Sequence, residues 1–188
     1  MRICVFGGAF DPLHLGHEGI IEKLLLRFEK VVVMPSKVSL GKKPPMASEL
    51  DRLKMLSLCS FVAKDNLVID NYELKSKEEY SFTIDSISYI KNKFKEDDIY
   101  IALGFDQFKN LSNWRESETL LSMVKIICFN RSGLTDNILV ERCEIVEDFN
   151  YDISSSEIKD LVKTDFFKIK DMVNENIFNY IMEHNLYR

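Results

Sequence analysis

Two histidines three residues apart, His14 and His17, are the side chains of this sequence best suited to chemistry on a phosphate. Imidazole donates hydrogen bonds to phosphoryl oxygens and can carry a positive charge near neutral pH. The pair follows Gly7 and Gly8, which lack Cβ atoms and so let backbone N–H groups approach a phosphate closely. Because the chain has only three histidines, two of them beside a glycine turn predict a corner that binds a phosphate and acts on it.

A second candidate site is the run of serines from Ser154 to Ser156, which comes before Glu157 and Lys159. The spacing of Ser154 and Glu157 is that of a capping box, which opens a helix. The same helix start presents N–H groups and hydroxyls to an anion, and Lys159 supplies a nearby positive charge. Helix capping and anion binding are compatible, and both interpretations are kept.

A third group comprises Asp106 and Trp114. Asp106 follows an apolar run and Gly104, where its carboxylate can either bind a ribose hydroxyl or cap the next helix. Trp114 is the only tryptophan and has polar neighbours. An aromatic side chain in such a setting favours a stacking platform for a flat ring over a core position.

Apolar runs alternate with helical patterns along the chain and provide the elements that position these residues. Their alternation predicts an α/β fold, with a parallel sheet joined by right-handed crossovers and helices on both faces. No linker or repeat interrupts the pattern, so residues 1–188 are predicted to form one domain. The predicted strands span 2–6, 31–34, 67–70, 99–103 and 124–129, with a possible sixth at 144–146, and the predicted helices span 17–28, 48–60, 83–94, 155–163 and 174–184. The segment 36–47 has no periodicity and is predicted to be a mobile basic loop.

The predicted strand order is 3-2-1-4-5, which reverses between the first and fourth strands. Ligands of open α/β sheets bind beyond the carboxyl ends of the strands at such a point. These two strands end in Gly7-Gly8 and in Gly104-Phe105-Asp106. The fold and the glycines therefore select the same crevice.

Composition narrows the class of protein. Hydrophobic residues make up 46% and charged residues 29% of the chain, as in soluble globular proteins. No apolar run reaches the roughly 18 residues that span a bilayer, and no signal-peptide core is present, so a cytoplasmic protein is expected. The net charge of −5 argues against a nucleic-acid partner. The four scattered cysteines favour core packing over a disulfide or zinc site.

The segments from Gly7 to His17 and from Ile153 to Ile158 together resemble the nucleotidyltransferase superfamily with its His-x-Gly-His signature. Within it, the chain resembles the bacterial nicotinate-nucleotide adenylyltransferases over nearly its whole length. Further points of resemblance are Ser81-Phe82-Thr83, Gly104-x-Asp106 with Leu111 and Trp114, Arg131-Ser132-Gly133, and the terminal segment with Tyr180-Ile181 and Leu186-Tyr187.

The resemblance implies a Rossmann-like fold and a reaction. Nicotinate mononucleotide attacks the α-phosphorus of ATP in line, giving deamido-NAD and pyrophosphate, with Mg²⁺ carried by the ATP phosphates and no covalent enzyme intermediate. Such catalysis rests on positioning and charge stabilisation. The implied partners are these two small molecules, without nucleic acid or membrane, and a homo-oligomer is possible.

The resemblance also implies roles for individual residues, which fall into a catalytic pair, an ATP-binding set and an acceptor-binding set. The catalytic pair is His14 and His17; the ATP-binding set is Gly7, Gly8, Ala9, Phe10, Asp106, Arg131, Ser154, Ser155, Ser156 and Lys159; the acceptor set is Lys42, Phe82, Thr83, Ile84 and Trp114. Trp114 is expected to stack on the pyridine ring, and the backbone near Thr83 and Ile84 to receive its carboxylate.

The chain departs from the family pattern at three places. The usual Pro-Pro-His-Lys is Ser-Leu-Gly-Lys at 39–42, the usual arginine after the serines is Lys159, and the usual tyrosine before Thr83 is Phe82. Lysine keeps the charge of arginine but loses its bidentate fork. These departures concern the acceptor more than the reaction class.

Two alternatives remain from the sequence. The first is an adenylyltransferase with another acceptor, such as nicotinamide mononucleotide or phosphopantetheine, although a pantetheine enzyme would ordinarily be shorter and lack the Trp114 segment. The second is a non-catalytic nucleotide-binding module. The intact His14 and His17 argue against the second, because a module without turnover has no need of them.

Overall fold

A single parallel sheet organises the molecule. The computed structural model describes residues 1–39, 41, 43–129, 143–146 and 151–188. Its six strands lie in the order β3-β2-β1-β4-β5-β6, and the paired strands run parallel. The strands are β1 (Arg2–Gly8), β2 (Lys30–Pro35), β3 (Leu67–Ile69), β4 (Asp98–Gly104), β5 (Lys125–Phe129) and β6 (Cys143–Val146). The predicted order and the sixth strand are confirmed.

Helices follow most of the strands. They are α1 (Leu15–Leu25), α2 (Glu49–Ser57), α3 (Tyr72–Lys75), α4 (Thr83–Lys93), α5 (Phe105–Lys109), α6 (Ser117–Met123), α7 (Ser155–Thr164) and α8 (Glu175–Glu183), with 3₁₀ turns at Leu111–Asn113 and Phe166–Asp171. The sequence did not predict α3, α5 and α6, because helices this short carry little periodicity. Within the described ranges, no helix is long and apolar enough to cross a membrane.

The sheet is buried on both faces, as parallel sheets are. Alternate residues of β1 enter different cores, since successive side chains of a strand point to opposite faces. Cys4 and Phe6 pack with α1, α2, α7 and α8. Ile3 and Val5 pack with α4 and α6. The carboxyl end of β1 thus lies between two helical layers, and the segment that follows it can contact both.

The loop after β2 is hydrogen-bonded to distant segments at both ends, and the mobility predicted for 36–47 stays a prediction. Near its start, the Ser81 N–H donates to the Val38 carbonyl oxygen at 2.8 Å, and the Lys37 N–H donates to Ser81 Oγ at 2.9 Å. At its other end, the Ala47 N–H donates to a carboxylate oxygen of Asp11 at 3.0 Å. Sequence periodicity does not report such tertiary hydrogen bonds.

Candidate active site

His14 and His17 form one stacked unit at the start of α1. His14 is the N-cap, and its Nδ1 accepts a hydrogen bond from the His17 N–H at 3.4 Å. The two ring centroids are 3.7 Å apart, with an interplanar angle of 26°. Because His14 caps the helix, α1 begins at Leu15 and not at the predicted residue 17. Both imidazoles therefore lie at the positive end of the helix dipole, where an anion is favoured.

An aromatic wall supports His17. The Phe10 ring meets the His17 ring edge-on, with centroids 5.0 Å apart, and Phe6 lies behind it at 6.1 Å. Phe10 is buried and has a φ of 48°, in the left-handed region. A Cβ atom on Gly8 would lie 3.1 Å from the Phe10 ring. Gly8 thus leaves room for the ring that supports His17, while Phe10 itself is buried away from the cavity described below.

Gly16 lies under the ring of His14. A Cβ atom at position 16 would lie 3.0 Å from His14 Nδ1 and 3.1 Å from its Cε1. His14 is only 3% exposed and is already constrained by capping and stacking. The glycine between the two histidines is therefore required by the packing of the His14 ring.

Asp11 anchors the loop that carries the histidines, and the sequence did not single it out. Its buried carboxylate accepts hydrogen bonds from the N–H groups of Met46 at 2.9 Å and Ala47 at 3.0 Å, and from Lys159 Nζ at 3.1 Å. Burial raises the pKa of Asp11, but the two backbone hydrogen bonds and the ion pair with Lys159 outweigh it and lower the pKa. The charge of Lys159, expected to serve ATP, is held here on Asp11.

The start of α7 contacts the same loop. Ser154 caps the helix, because its Oγ accepts from the Glu157 N–H at 3.1 Å, as the capping spacing predicts. Ser155 Oγ donates to the Pro12 carbonyl oxygen at 3.0 Å, and Ser156 is exposed. Two helix N-termini, those of α1 and α7, therefore meet in what we call the histidine corner, residues 8–17 with residues 154–159.

Arg52 ties the ends of β1 and β2 together and was also missed. It is 1% exposed, and its Nη1 donates to the carbonyl oxygens of Ala9 and Ser36, both at 2.7 Å. Burial lowers the pKa of the Arg52 guanidinium. One signal was available in the sequence: Arg52 lies three and four positions before Met55 and Leu56, on the face of α2 that is buried.

A cavity of about 520 Å³ opens beside the histidine corner, and we call it the acceptor cavity. The carboxyl ends of β1, β2 and β4 form its floor, and segments from α4 and from residues 106–115 form its walls. Of the residues expected to bind ligands, those that line it are Gly7, Gly8, Ala9, Phe82, Thr83, Asp106 and Trp114. The volume lies within the range of small-molecule sites.

The histidines, Ser154 to Ser156 and Lys159 belong to the histidine corner and do not line this cavity, and neither do Phe10 and Ile84. Ile84 is 5% exposed and packs in the core beneath α4, so only its backbone is available for a ligand. Phe10 is buried against His17. Lys42 and Arg131 lie outside the described residues. The ligand-binding roles assigned to the other residues stay predictions.

The acidic residues that line the acceptor cavity are Glu73 and Asp106. Asp106 is the second residue of α5 and its side chain is 96% exposed. Gly104 is the N-cap of that helix, so the alternative that Asp106 caps it is wrong. Glu73 accepts a hydrogen bond from Ser86 Oγ, and burial raises the pKa of its carboxyl group. Within the described ranges, no three His, Cys, Asp or Glu side chains form a cluster that could hold a metal ion.

Comparison with known proteins finds relatives of one family. A family model described as cytidylyltransferase-like matches residues 5–161. A probable nicotinate-nucleotide adenylyltransferase of Endomicrobium trichonymphae is 30% identical over 193 residues, which cover 100% of this chain and 99% of that protein. One of Aquifex aeolicus is 34% identical over 140 residues, covering 73% of this chain and 82% of that protein.

Solved structures share the fold. The nicotinic acid mononucleotide adenylyltransferase of Plasmodium falciparum complexed with NaAD superposes with a TM-score of 0.85 at 23% identity, covering 99% of this chain and 97% of that chain. The same enzyme complexed with APC gives 0.81 at 24% identity, covering 99% and 96%. The family match over most of the chain and the full-length relatives lead to one conclusion: the chain belongs to the cytidylyltransferase-like family and, within it, to the nicotinate-nucleotide adenylyltransferases.

Proposed function

We propose that the protein transfers the AMP moiety of ATP to nicotinate mononucleotide, giving deamido-NAD and pyrophosphate. The observation that carries this proposal is the histidine corner. There, the N-termini of α1 and α7 and the two imidazoles lie around one loop, which Ser155 contacts by a hydrogen bond. A cavity large enough for a mononucleotide lies beside them. Relatives that cover the whole chain bear the name of this activity.

The histidine corner suits the donor side of the reaction. In-line attack on the α-phosphorus builds charge on its oxygens and on the leaving pyrophosphate. His14 and His17 donate hydrogen bonds to phosphate oxygens of ATP, and their stacking fixes both donors before substrate arrives. The start of α7, from Ser154 to Ser156, receives the β- and γ-phosphates. Lys159, which the resemblance assigns to ATP, is paired with Asp11 and so holds α7 against the loop that carries the histidines.

The acceptor cavity suits the mononucleotide. Gly7 and Gly8, which are also assigned to ATP, line this cavity at the end of β1, where the phosphates of both substrates can approach the backbone. Trp114 stacks on the pyridine ring, and the first turn of α4 at Thr83 receives a ring substituent. The attacking phosphate then lies between this cavity and the histidine corner. Holding both reactants in this arrangement lowers the entropic part of the activation barrier.

Mg²⁺ fits this site as an ion brought by ATP. Mg²⁺ usually binds through one or two carboxylates together with substrate phosphates, and the exposed Asp106 is a carboxylate that lines the cavity. When bound, the ion neutralises charge on the phosphates. The proposal includes a cytoplasmic location and allows a homo-oligomer.

The reaction is tested by following pyrophosphate release from purified protein with ATP and Mg²⁺ and a panel of acceptors. The panel contains nicotinate mononucleotide, nicotinamide mononucleotide and phosphopantetheine, with an acceptor-free control. We expect release with nicotinate mononucleotide and formation of deamido-NAD, identified by its mass. Release with phosphopantetheine alone would contradict the proposed acceptor, and no release with any acceptor would favour a binding module.

A further inference from the structure

Arg115 directly follows Trp114 and lines the acceptor cavity. Its Cζ lies 4.7 Å from the centroid of the Phe82 ring, which is a cation–π distance. Phe82 also lines the cavity and is the N-cap residue of α4. The guanidinium is therefore held at the start of α4, on the same wall as the ring-stacking tryptophan.

The local electrostatics favour an anion at this position. Phe82 makes no side-chain hydrogen bond to the first turn of α4, so no N-cap side chain offsets the positive end of that helix. Carboxylates oppose the guanidinium. Glu73, whose pKa is raised by burial, and the exposed Asp106 line the same cavity. Asp85 lies in the first turn of α4, and Glu116 Oε1 lies 3.5 Å from Arg115 Nε. Asp85 is exposed, and the Arg115–Glu116 pair is more than half exposed on both sides, so solvent screens these charges strongly.

The remaining donors of the guanidinium are suited to a carboxylate. Arginine presents five N–H donors in a planar fork, and Arg115 approaches Glu116 through Nε. The guanidinium can donate two parallel hydrogen bonds to the two oxygens of a carboxylate. These charge-assisted hydrogen bonds are stronger than hydrogen bonds to a neutral amide. A carboxylate and a carboxamide have nearly the same shape, so charge is the property that separates nicotinate from nicotinamide.

From this placement we propose that Arg115 is a specificity-determining residue, which selects an acceptor with an anionic ring substituent over its neutral amide. This inference rests on the proposed function, because it concerns the acceptor of that reaction. A pyridine ring stacked on Trp114 brings its substituent to the wall where Arg115 and the start of α4 lie. Arg115 holds the substituent and takes no part in the bond changes at phosphorus.

The test compares wild type with Arg115→Gln and Arg115→Lys, using both pyridine mononucleotides at saturating ATP and Mg²⁺. We expect wild type to prefer nicotinate mononucleotide, and Arg115→Gln to lower the ratio of kcat/KM values by roughly tenfold. The loss should appear in the KM for nicotinate mononucleotide, while the KM for ATP stays unchanged. Arg115→Lys keeps the charge without the planar fork. Its ratio of kcat/KM values should lie between those of wild type and Arg115→Gln.

Lys125→Gln is the matched control. Lys125 is an exposed cation at the amino end of β5, away from the cavity, so its removal changes the net charge equally. It should leave the ratio of kcat/KM values unchanged. If Arg115→Gln retains the wild-type ratio while melting at the wild-type temperature, or if Lys125→Gln lowers the ratio as much, Arg115 does not determine specificity.

A binding measurement separates this inference from the proposed function. Trp114 is the only tryptophan, so its fluorescence reports occupancy of the cavity without turnover. Titration with each mononucleotide should show tighter binding of nicotinate mononucleotide to wild type and a reduced preference in Arg115→Gln. Preferential binding without pyrophosphate release would overturn the proposed reaction alone. Turnover with an unchanged preference in Arg115→Gln would overturn the Arg115 inference alone, and absence of binding by both ligands would overturn both.

Discussion

The histidine corner and the acceptor cavity are built in different ways. In the corner, His14 is buried, Asp11 is fully engaged by two N–H groups and an ammonium, and Arg52 fixes the adjacent carbonyls. In the cavity, the polar side chains of Asp106 and Arg115 are exposed. Under the proposed roles, donor chemistry depends on buried positioning, whereas acceptor choice depends on surface charge and ring stacking. Substitutions in the two regions should therefore differ in kind.

His17→Ala tests the corner most directly, and we expect the largest effect from it. Removing a hydrogen-bond donor that acts on charge in the transition state should lower kcat by roughly 10²-fold or more. His17 is partly exposed and sits on Phe10, so the fold should persist. Pyrophosphate release measures kcat, and ATP binding by calorimetry is the control. If wild type and variant bind ATP and are equally inert, the corner is a binding site only.

Asp11→Asn tests the anchoring of the corner. The amide cannot accept hydrogen bonds from the two N–H groups and the ammonium as a carboxylate does. We therefore expect the free energy of unfolding, measured by urea denaturation, to fall by about 2–3 kcal/mol. The effect should depend on pH. The folded pKa of Asp11 is lowered, so its contribution is present above its unfolded pKa of about 3.9 and is lost as pH falls through the folded pKa.

Wild type and Asp11→Asn should therefore approach each other in stability as the pH falls below about 4. Asp171→Asn, at an exposed site, is the control and should change stability by less than about 0.5 kcal/mol. A constant difference between wild type and Asp11→Asn across this pH range would mean that the charge of Asp11 is not what stabilises the corner.

Gly16→Ala should move the His14 ring without adding or removing a charge. The new Cβ would lie 3.0 Å from His14 Nδ1, and the ring has little room to yield. We expect a loss of roughly tenfold in kcat, because small displacements of positioned groups are costly. Gly104→Ala is the matched control, since a Cβ there meets no atom within 4 Å. Equal kcat values for the two variants would show that the corner tolerates movement of His14.

Trp114→Ala sharpens the comparison from the cavity side, with the smallest expected effect. Loss of ring stacking should raise the KM for the acceptor by roughly three- to tenfold, following the usual strength of aromatic pairs. The KM for ATP should change less, because Trp114 lines the cavity and not the histidine corner. Steady-state kinetics with each substrate varied in turn measures both values. An equal rise in both would indicate that Trp114 acts through packing on the core below it.

The sequence predicts the strand order and the histidine pair because these depend on local patterns. Long apolar runs mark the strands, and His14 and His17 are neighbours on one helical turn. The anchors of the corner could not be predicted in this way. Asp11 accepts hydrogen bonds from Met46, which is 35 residues away in the sequence, and from Lys159, which is 148 residues away. The pairing with Lys159 follows from the packing of α7 against the loop after β1, and the pairing with Met46 from the segment that leads into α2, and no local pattern encodes either.

The acceptor side was predicted less completely for a different reason. The short helices α5 and α6 carry too little periodicity to be recognised, yet they set the position of Trp114. The residue before α6, Glu116, has a φ of 52°, in the left-handed region. The sequence does not single out Arg115, because an exposed arginine in a polar run is ordinary. Its stacking on Phe82, which only the structure shows, distinguishes it.

The ion pair between Asp11 and Lys159 has a consequence for synthesis of the protein on the ribosome. Chains leave the ribosome N-terminus first, at about 5–20 residues per second. β1 and α1 are available early, but the partners of their connecting loop, Lys159 and Ser155, are translated 148 and 143 positions later than Asp11 and Pro12. The histidine corner therefore cannot be complete until α7 has left the ribosome, and we expect catalytic competence only after that point.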